Sequence, residues 1–208
     1  MEEVKKPKRM GGSERREQIV GVSARLFSEK GFRGTTTKEV ADKAGISEAT
    51  IYKHFKSKTD IYQAIIESYC NDDKGRSHYL KRLEGKSGRD LLSEVAALIM
   101  ESYEEDPFFI RIFLFSALEG IEFSDMVIQS KGMEMLGLVK SEIERLMDEG
   151  VFKKENPILV TRAYIGMISH YCISQEVFGM KKKYKTDYKN AARVFVDIFL
   201  NGVRERPC

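Results

Sequence analysis

Tyr52, His54, Lys56 and Lys58 bring a phenol, an imidazole and two ammonium groups together, and Thr35, Thr36 and Thr37 set three hydroxyls in a row upstream of them. Between the two groups lies Ser47-Glu48-Ala49-Thr50, with Lys53 just beyond. Most of these side chains donate hydrogen bonds, and nothing in their spacing suits covalent or metal chemistry. Hydroxyls and ammonium groups suit the oxygens of a phosphate. Short groups such as serine, alanine and threonine suit base edges, which longer side chains would crowd. The chemistry to expect is therefore recognition of a nucleic acid.

Such a set needs a frame that presents it on one side, and the sequence supplies two short helices joined by a tight turn. Thr36-x-x-Glu39 reads as a capping box, in which the threonine hydroxyl and the glutamate satisfy each other's backbone N–H groups. A helix then starts at about Thr37 and buries Val40, Ala41 and Ala44. Gly45 follows where the chain must turn left-handed, which costs glycine nothing because it has no Cβ. Ile46 re-enters the core, and Ser47 caps a second helix whose inner face holds Ile51 and Phe55. This is the helix-turn-helix pattern, and the small polar outer face of its second helix fits the major groove. Thr36, Lys38, Tyr52, His54 and Lys58 are the expected phosphate contacts. Ser47, Glu48, Ala49, Thr50 and Lys53 are the expected base contacts. Ala49 or the Thr50 methyl can meet a thymine methyl, and Glu48 can accept from a cytosine amine.

The run Leu26-Phe27-x-x-Lys30-Gly31-Phe32-x-x-Thr35-Thr36, then Val40-Ala41-x-x-Ala44-Gly45-Ile46-Ser47, then Ile51-Tyr52-x-His54-Phe55-x-x-Lys58 is very similar to the N-terminal domain of the tetracycline-repressor (TetR/AcrR) family. The similarity runs without a gap over about Glu14 to Tyr69. It implies an all-α protein, with a three-helix helix-turn-helix domain linked by a helix to a C-terminal α-helical domain for ligand binding and dimerisation. Beyond Tyr69 only the helical character continues.

Composition agrees with a soluble regulator and gives no footing to other classes. The chain has 208 residues, 42% hydrophobic and 32% charged, with a net charge of +3. The first 60 residues hold 14 basic and 9 acidic side chains, against 21 and 23 in the remainder, so the positive end is the helix-turn-helix end. No apolar run approaches the ~20 residues of a membrane span and no signal sequence opens the chain, so no membrane partner and a cytoplasmic location are expected. His54, His78 and His170 are not at metal-ligand spacing, and no phosphate-cradling glycine loop or nucleophile elbow occurs. Neither an enzyme nor a cofactor is expected. Cys70, Cys172 and Cys208 are too few and too far apart for a disulfide framework.

Taken in order, residues 1–12 read as a disordered basic tail, 13–58 as the helix-turn-helix domain and 59–208 as the effector-binding and dimerisation domain. Ser13 can cap the first helix, which carries Ile19, Val22, Leu26 and Phe27 at helical spacing and stops at Gly31. Ser57-x-x-Asp60 begins a helix that, continued past Gly75 to Leu83, would link the two domains mechanically. Ser87-x-x-Asp90, Asp106-Pro107, Ser124, Asn156-Pro157 and the residues before Tyr188 start five more, giving nine helices in all.

Aromatic and methionine side chains are dense from Tyr103 to Met135 and from Tyr164 to Phe178, which suggests a cavity for a small hydrophobic or aromatic effector. Tyr103, Phe113, Met167, His170 and Tyr171 are its candidate lining, with His170 as a polar hook. The last two helices carry apolar residues on more than one side, a surplus that a homodimer would cover. A dimer also suits a single helix-turn-helix, because two copies read successive major grooves of a palindromic operator in double-stranded DNA. The expected function is a repressor released from its operator by an effector. The alternative is an architectural or partner-recruiting DNA-binding protein without a small-molecule switch.

Overall fold

Helix ends in this chain are set by short polar residues, prolines and glycines, and the computed structural model, which describes residues 10–70, 73–120, 131–184 and 187–204, places them close to where the sequence signals do. The N-terminal helices are α1 (Gly12–Lys30), α2 (Thr37–Ala44), α3 (Glu48–His54) and α4 (Lys58–Cys70). They are followed by α5 (Asp73–Leu83), α6 (Gly88–Glu105), α7 (Pro107–Glu119), α8 (Lys131–Asp148), α9 (Pro157–Glu176) and α10 (Tyr188–Val203). A 3₁₀ turn spans Met180–Lys182, and the only β pairing among the described residues is an isolated antiparallel bridge between Phe152 and Arg204.

The cap-then-proline signals hold. Asp106 accepts from the Phe108 amide at 2.9 Å, and Asn156 from the Ile158 amide at 3.0 Å. Ser57 accepts from Asp60 N–H at 3.1 Å. Two expected caps differ. Helix α1 begins at Gly12 rather than behind Ser13, because Glu14 reaches back to the Gly11 amide at 2.8 Å and closes the turn two residues earlier. Ser87 makes no side-chain cap bond, and the Gly88 amide donates instead to the Glu142 carboxylate of α8. Among the described residues there are ten helices against the expected nine, with α4 and α5 given separately on either side of residues 71–72. The expected start at Ser124 and residues 1–9 of the basic tail lie outside the described residues.

Two apolar clusters organise the chain. In the C-terminal one, α6 is central: Leu92, Val95, Ala96 and Met100 are fully buried, and α8, α9 and α10 close around them with Val139, Ile143, Tyr164, Ile168, Cys172 and Val196. Each such aliphatic side chain contributes on the order of 1.5–3 kcal/mol over its exposed state. The Tyr164 hydroxyl donates to the Leu92 carbonyl, so its one polar group is satisfied inside the core. Burial pushes the Cys172 thiol up to about 12, which keeps it protonated and inert.

The N-terminal cluster does not end at residue 58. Ile61, Tyr62, Ile65 and Ile66 of α4 are buried with Ile19, Phe27, Val40, Ile51 and Phe55 of α1–α3. Ile112 of α7 is buried there too, with Phe109 and Phe113 packed against it. Helix α7 therefore packs with the N-terminal helices although it follows α6 in the chain, a role that its local sequence does not announce.

Candidate nucleic-acid interface

The helix-turn-helix is built by local hydrogen bonds. Thr36 accepts from the Glu39 amide at 3.1 Å while Glu39 accepts from the Thr36 amide at 2.9 Å, which is the capping box. Gly45 is left-handed at φ 66°, and past it the Ile46 amide returns to the Ala41 carbonyl at 3.0 Å. That six-residue closure turns the chain sharply between the helices and needs a residue without a Cβ penalty. Ser47 then accepts from the Thr50 amide at 3.2 Å and starts α3. Ile51 and Phe55 hold α3 down in the core, so its opposite side faces outward.

On that outer side Ser47, Ala49, Tyr52 and Lys53 are exposed, while Glu48, Thr50 and His54 are half-exposed. Thr36 and Lys38 are exposed at the start of α2. The residues expected to meet bases thus share one short helix and its cap, and those expected to meet phosphates lie at the start of α2, in the second half of α3 and at the start of α4. The N-terminus of α2 adds unpaired amides and a partial positive charge for an anion.

Three features escaped the sequence reading. Thr37 donates to Glu48 at 2.5 Å and lies 3.3 Å from the Tyr52 hydroxyl, tying the start of α2 to the outer face of α3. Glu48 therefore has one oxygen occupied before any base arrives. Lys58 turns inward: its ammonium donates to the Phe32 carbonyl at 2.7 Å and the Thr35 carbonyl at 2.8 Å, and sits 4.3 Å from the centre of the Phe32 ring. Burial holds its pKa below the ordinary lysine value, opposed by the charges of Glu119 and Glu39. One N–H of the three remains for a phosphate. Finally, the amides of Phe32 and Arg33 donate to Glu119 of α7 at 3.1 and 3.3 Å, a contact far apart in sequence. No signal short of the tertiary structure marks it.

Glu39 also carries a testable electrostatic consequence. The Lys30 ammonium at 2.7 Å and the amide and hydroxyl of Thr36 hold its carboxyl down to about 2. A depressed carboxylate stabilises the fold above its unfolded value of about 4.3 and loses that contribution as pH falls through the folded value. The α2 cap is therefore expected to persist through mild acid and to fail only toward pH 2. An NMR titration of the Glu39 side-chain carboxyl with a midpoint above 4 would contradict this.

The effector candidates are not brought together. Tyr103 of α6 and Met167 and Tyr171 of α9 pack against the C-terminal cluster, where the Tyr171 ring meets Phe195 at 5.2 Å and Tyr188 at 6.1 Å. Phe113 packs instead against the N-terminal cluster. His170 is exposed on α9, beside Ser174, rather than hooked into an apolar lining. The density of aromatic and methionine side chains grouped these five, but density could not distinguish which cluster each helix face meets.

Among the described residues no three histidine, cysteine, aspartate or glutamate side chains group as a metal site, and no helix is long and apolar enough to cross a membrane. Residues 19–65 match the family model described as bacterial regulatory proteins, tetR family. An uncharacterised helix-turn-helix transcriptional regulator, YvkB of Bacillus subtilis, is 28% identical over 164 residues, covering 78% of this chain and 83% of that protein. With the repressor KstR2 of Rhodococcus jostii the identity is 35%, but the match spans only 44% of that protein's length. The solved structure of the ketosteroid regulator KstR2 of Mycobacterium tuberculosis superposes with a TM-score of 0.72 at 19% identity, covering 95% of this chain and 100% of that one. FadR of Bacillus subtilis, solved with stearoyl-CoA, superposes with a TM-score of 0.65 at 17% identity over 90% and 99% of the two chains.

Proposed function

The chain is a regulatory protein of the tetR family, and from that premise we propose that it is a dimeric repressor that reads a palindromic operator and leaves it when an apolar effector binds its C-terminal helices. The observation that carries this reading is the outer face of α3, where Ser47, Ala49 and Lys53 stand exposed beside the exposed Thr36 and Lys38 at the start of α2. Thr36, Lys38, Tyr52 and His54 hold phosphates, with the remaining N–H of Lys58. Ser47, Ala49, Thr50 and Lys53 meet bases. Glu48, already bound by Thr37, orients Tyr52 through that threonine and reads a base with its second oxygen.

The dimer is formed by the exposed faces of α9 and α10. Leu159, Ala163 and Gly166 line one and Val194 and Ile198 the other, with the small residues allowing close helix approach. Two heads so joined reach successive major grooves, about 34–36 Å apart. For the effector, the region around Tyr103, Met167, Tyr171, Tyr188 and Phe195 is the favoured site, and the acyl chain in the stearoyl-CoA complex of FadR makes fatty acyl thioesters the first class to try. Such a ligand acts only as far as it prefers the separation of the heads that cannot bind DNA.

The test is a salt-titrated binding experiment on duplexes from the upstream region of the protein's own gene, repeated with acyl thioesters, sterols and aromatic acids. A two-fold symmetric footprint abolished by one compound supports the reading in full. Binding that ignores every compound removes the effector and favours the switchless alternative. At single residues, Lys53→Ala or Thr50→Val is expected to change base preference at one position by about 1–3 kcal/mol. Tyr52→Phe should weaken all sequences alike. Equal effects of all three across sequences would contradict the assignment.

A further inference from the structure

The linker helix α4 joins the reading head to the body covalently, but α7 holds the same head from a distance. In the first half of α7, Arg111 donates to the Glu176 carbonyl at 2.8 Å and so caps the last turn of α9. At the next residue, the Tyr62 hydroxyl of α4 donates to the Ile112 carbonyl at 3.2 Å. At the far end, the Glu119 carboxylate accepts from Phe32 N–H at 3.1 Å and from Arg33 N–H at 3.3 Å, and the Arg33 guanidinium returns to the Glu119 carbonyl at 3.1 Å. The turn it grips, residues 31–35, leads directly into Thr36, the cap of α2. Lys58 grips the carbonyls of that turn and Glu119 grips its amides, so an anion and a cation hold opposite polar faces of one short loop.

Gly31 makes this fit possible. At φ 75° it adopts a backbone that side chains avoid, and a Cβ there would lie 2.5 Å from Glu119 Oε1 and 3.0 Å from the Phe115 ring. The close approach is thus built into both partners. Eight residues of helix, about 12 Å, separate the Arg111 contact with α9 from the Glu119 contact with the loop that leads into the phosphate grip.

We propose that Glu119 is a positioning residue for operator recognition: through α7 it fixes the angle of each reading head on the dimer body, and so sets the half-site spacing the protein accepts. The inference rests on the dimeric-repressor reading above. A head held at both α4 and α7 pays little to adopt its binding angle, whereas a head held only by α4 samples several. Loosening Glu119 then lowers affinity at the native spacing and broadens tolerance to others. Loss of stability alone would lower affinity equally at every spacing.

The experiment takes the operator selected by the wild-type protein from random duplex DNA and varies its spacer by one and two base pairs. Wild-type, Glu119→Ala, Glu119→Gln and Tyr62→Phe proteins are compared, with thermal unfolding measured in parallel. The wild type is expected to lose roughly tenfold or more in affinity at a two-base-pair shift, because the heads leave groove register. For Glu119→Ala the native-spacing affinity should fall roughly five- to tenfold and the spacing preference should shrink to about threefold. Glu119→Gln keeps an acceptor oxygen for the turn and should stay within about twofold of wild type. If Glu119→Ala does not fold, Tyr62→Phe, which loosens the second contact between α4 and α7, is expected to broaden the profile in the same direction. A spacing profile parallel to wild type in the folded variants overturns the inference and leaves the repressor reading intact. A wild type that selects no palindrome overturns that reading, and the inference with it.

Discussion

Ile198→Asp is expected to turn the protein into a monomer and to weaken operator binding by roughly a hundred- to ten-thousand-fold. Ile198 is 57% exposed on α10, and Leu159 is 64% exposed on the neighbouring α9. Neither residue belongs to the buried core, so the substitution leaves the protomer's own packing alone. A carboxylate buried between two copies loses its hydration, which costs several kcal/mol per copy, and two-fold symmetry places it twice. Without the dimer, the second half-site loses the high effective concentration that tethering supplies, and that loss sets the size of the effect. Light scattering at micromolar concentration gives the mass, and circular dichroism checks that the helices remain. A variant that stays dimeric would place the interface elsewhere.

The second large effect is at Lys58. If its ammonium served only a phosphate, Lys58→Ala would leave stability unchanged and reduce the salt slope of binding by about one. Its two bonds to the Phe32 and Thr35 carbonyls give another expectation. Removing the donor leaves two acceptors in a half-buried turn, which costs about 1–3 kcal/mol of stability. The turn before α2 then loosens, and operator affinity falls about tenfold for specific and scrambled sequences together. Chemical denaturation and salt-dependent binding on the same samples distinguish the two cases. An unchanged unfolding midpoint with a smaller salt slope would return Lys58 to a phosphate contact alone.

Where the sequence was legible, the signals were local. The capping box at Thr36 and Glu39, the left-handed Gly45, the Ser47 cap and the buried pair Ile51 and Phe55 each depend on neighbours within a few residues, and each forms as expected. The same holds for Asp106-Pro107 and Asn156-Pro157. Local signals failed where two were in competition: Glu14 reached back to Gly11 and displaced Ser13 as the start of α1. They failed more completely where the partner was distant. The basic character of Lys58 pointed to phosphate, and only the folded turn reveals two carbonyls waiting for it. Glu119 reads as an ordinary solvated end of α7 until residues 32 and 33 are brought against it. Phe113 and His170 sit on helices with apolar periodicity all round, so periodicity could not say which side meets a core and which meets solvent.

The central claim is that this helix-turn-helix reads a two-fold symmetric site as a dimer, and selection of binding sequences from random duplex DNA by the wild-type protein tests it most directly. The account predicts an inverted repeat whose half-site centres lie about one helical turn, 10–10.5 base pairs, apart or a multiple of that. Enrichment of a single asymmetric half-site, or of no sequence at all, would contradict it.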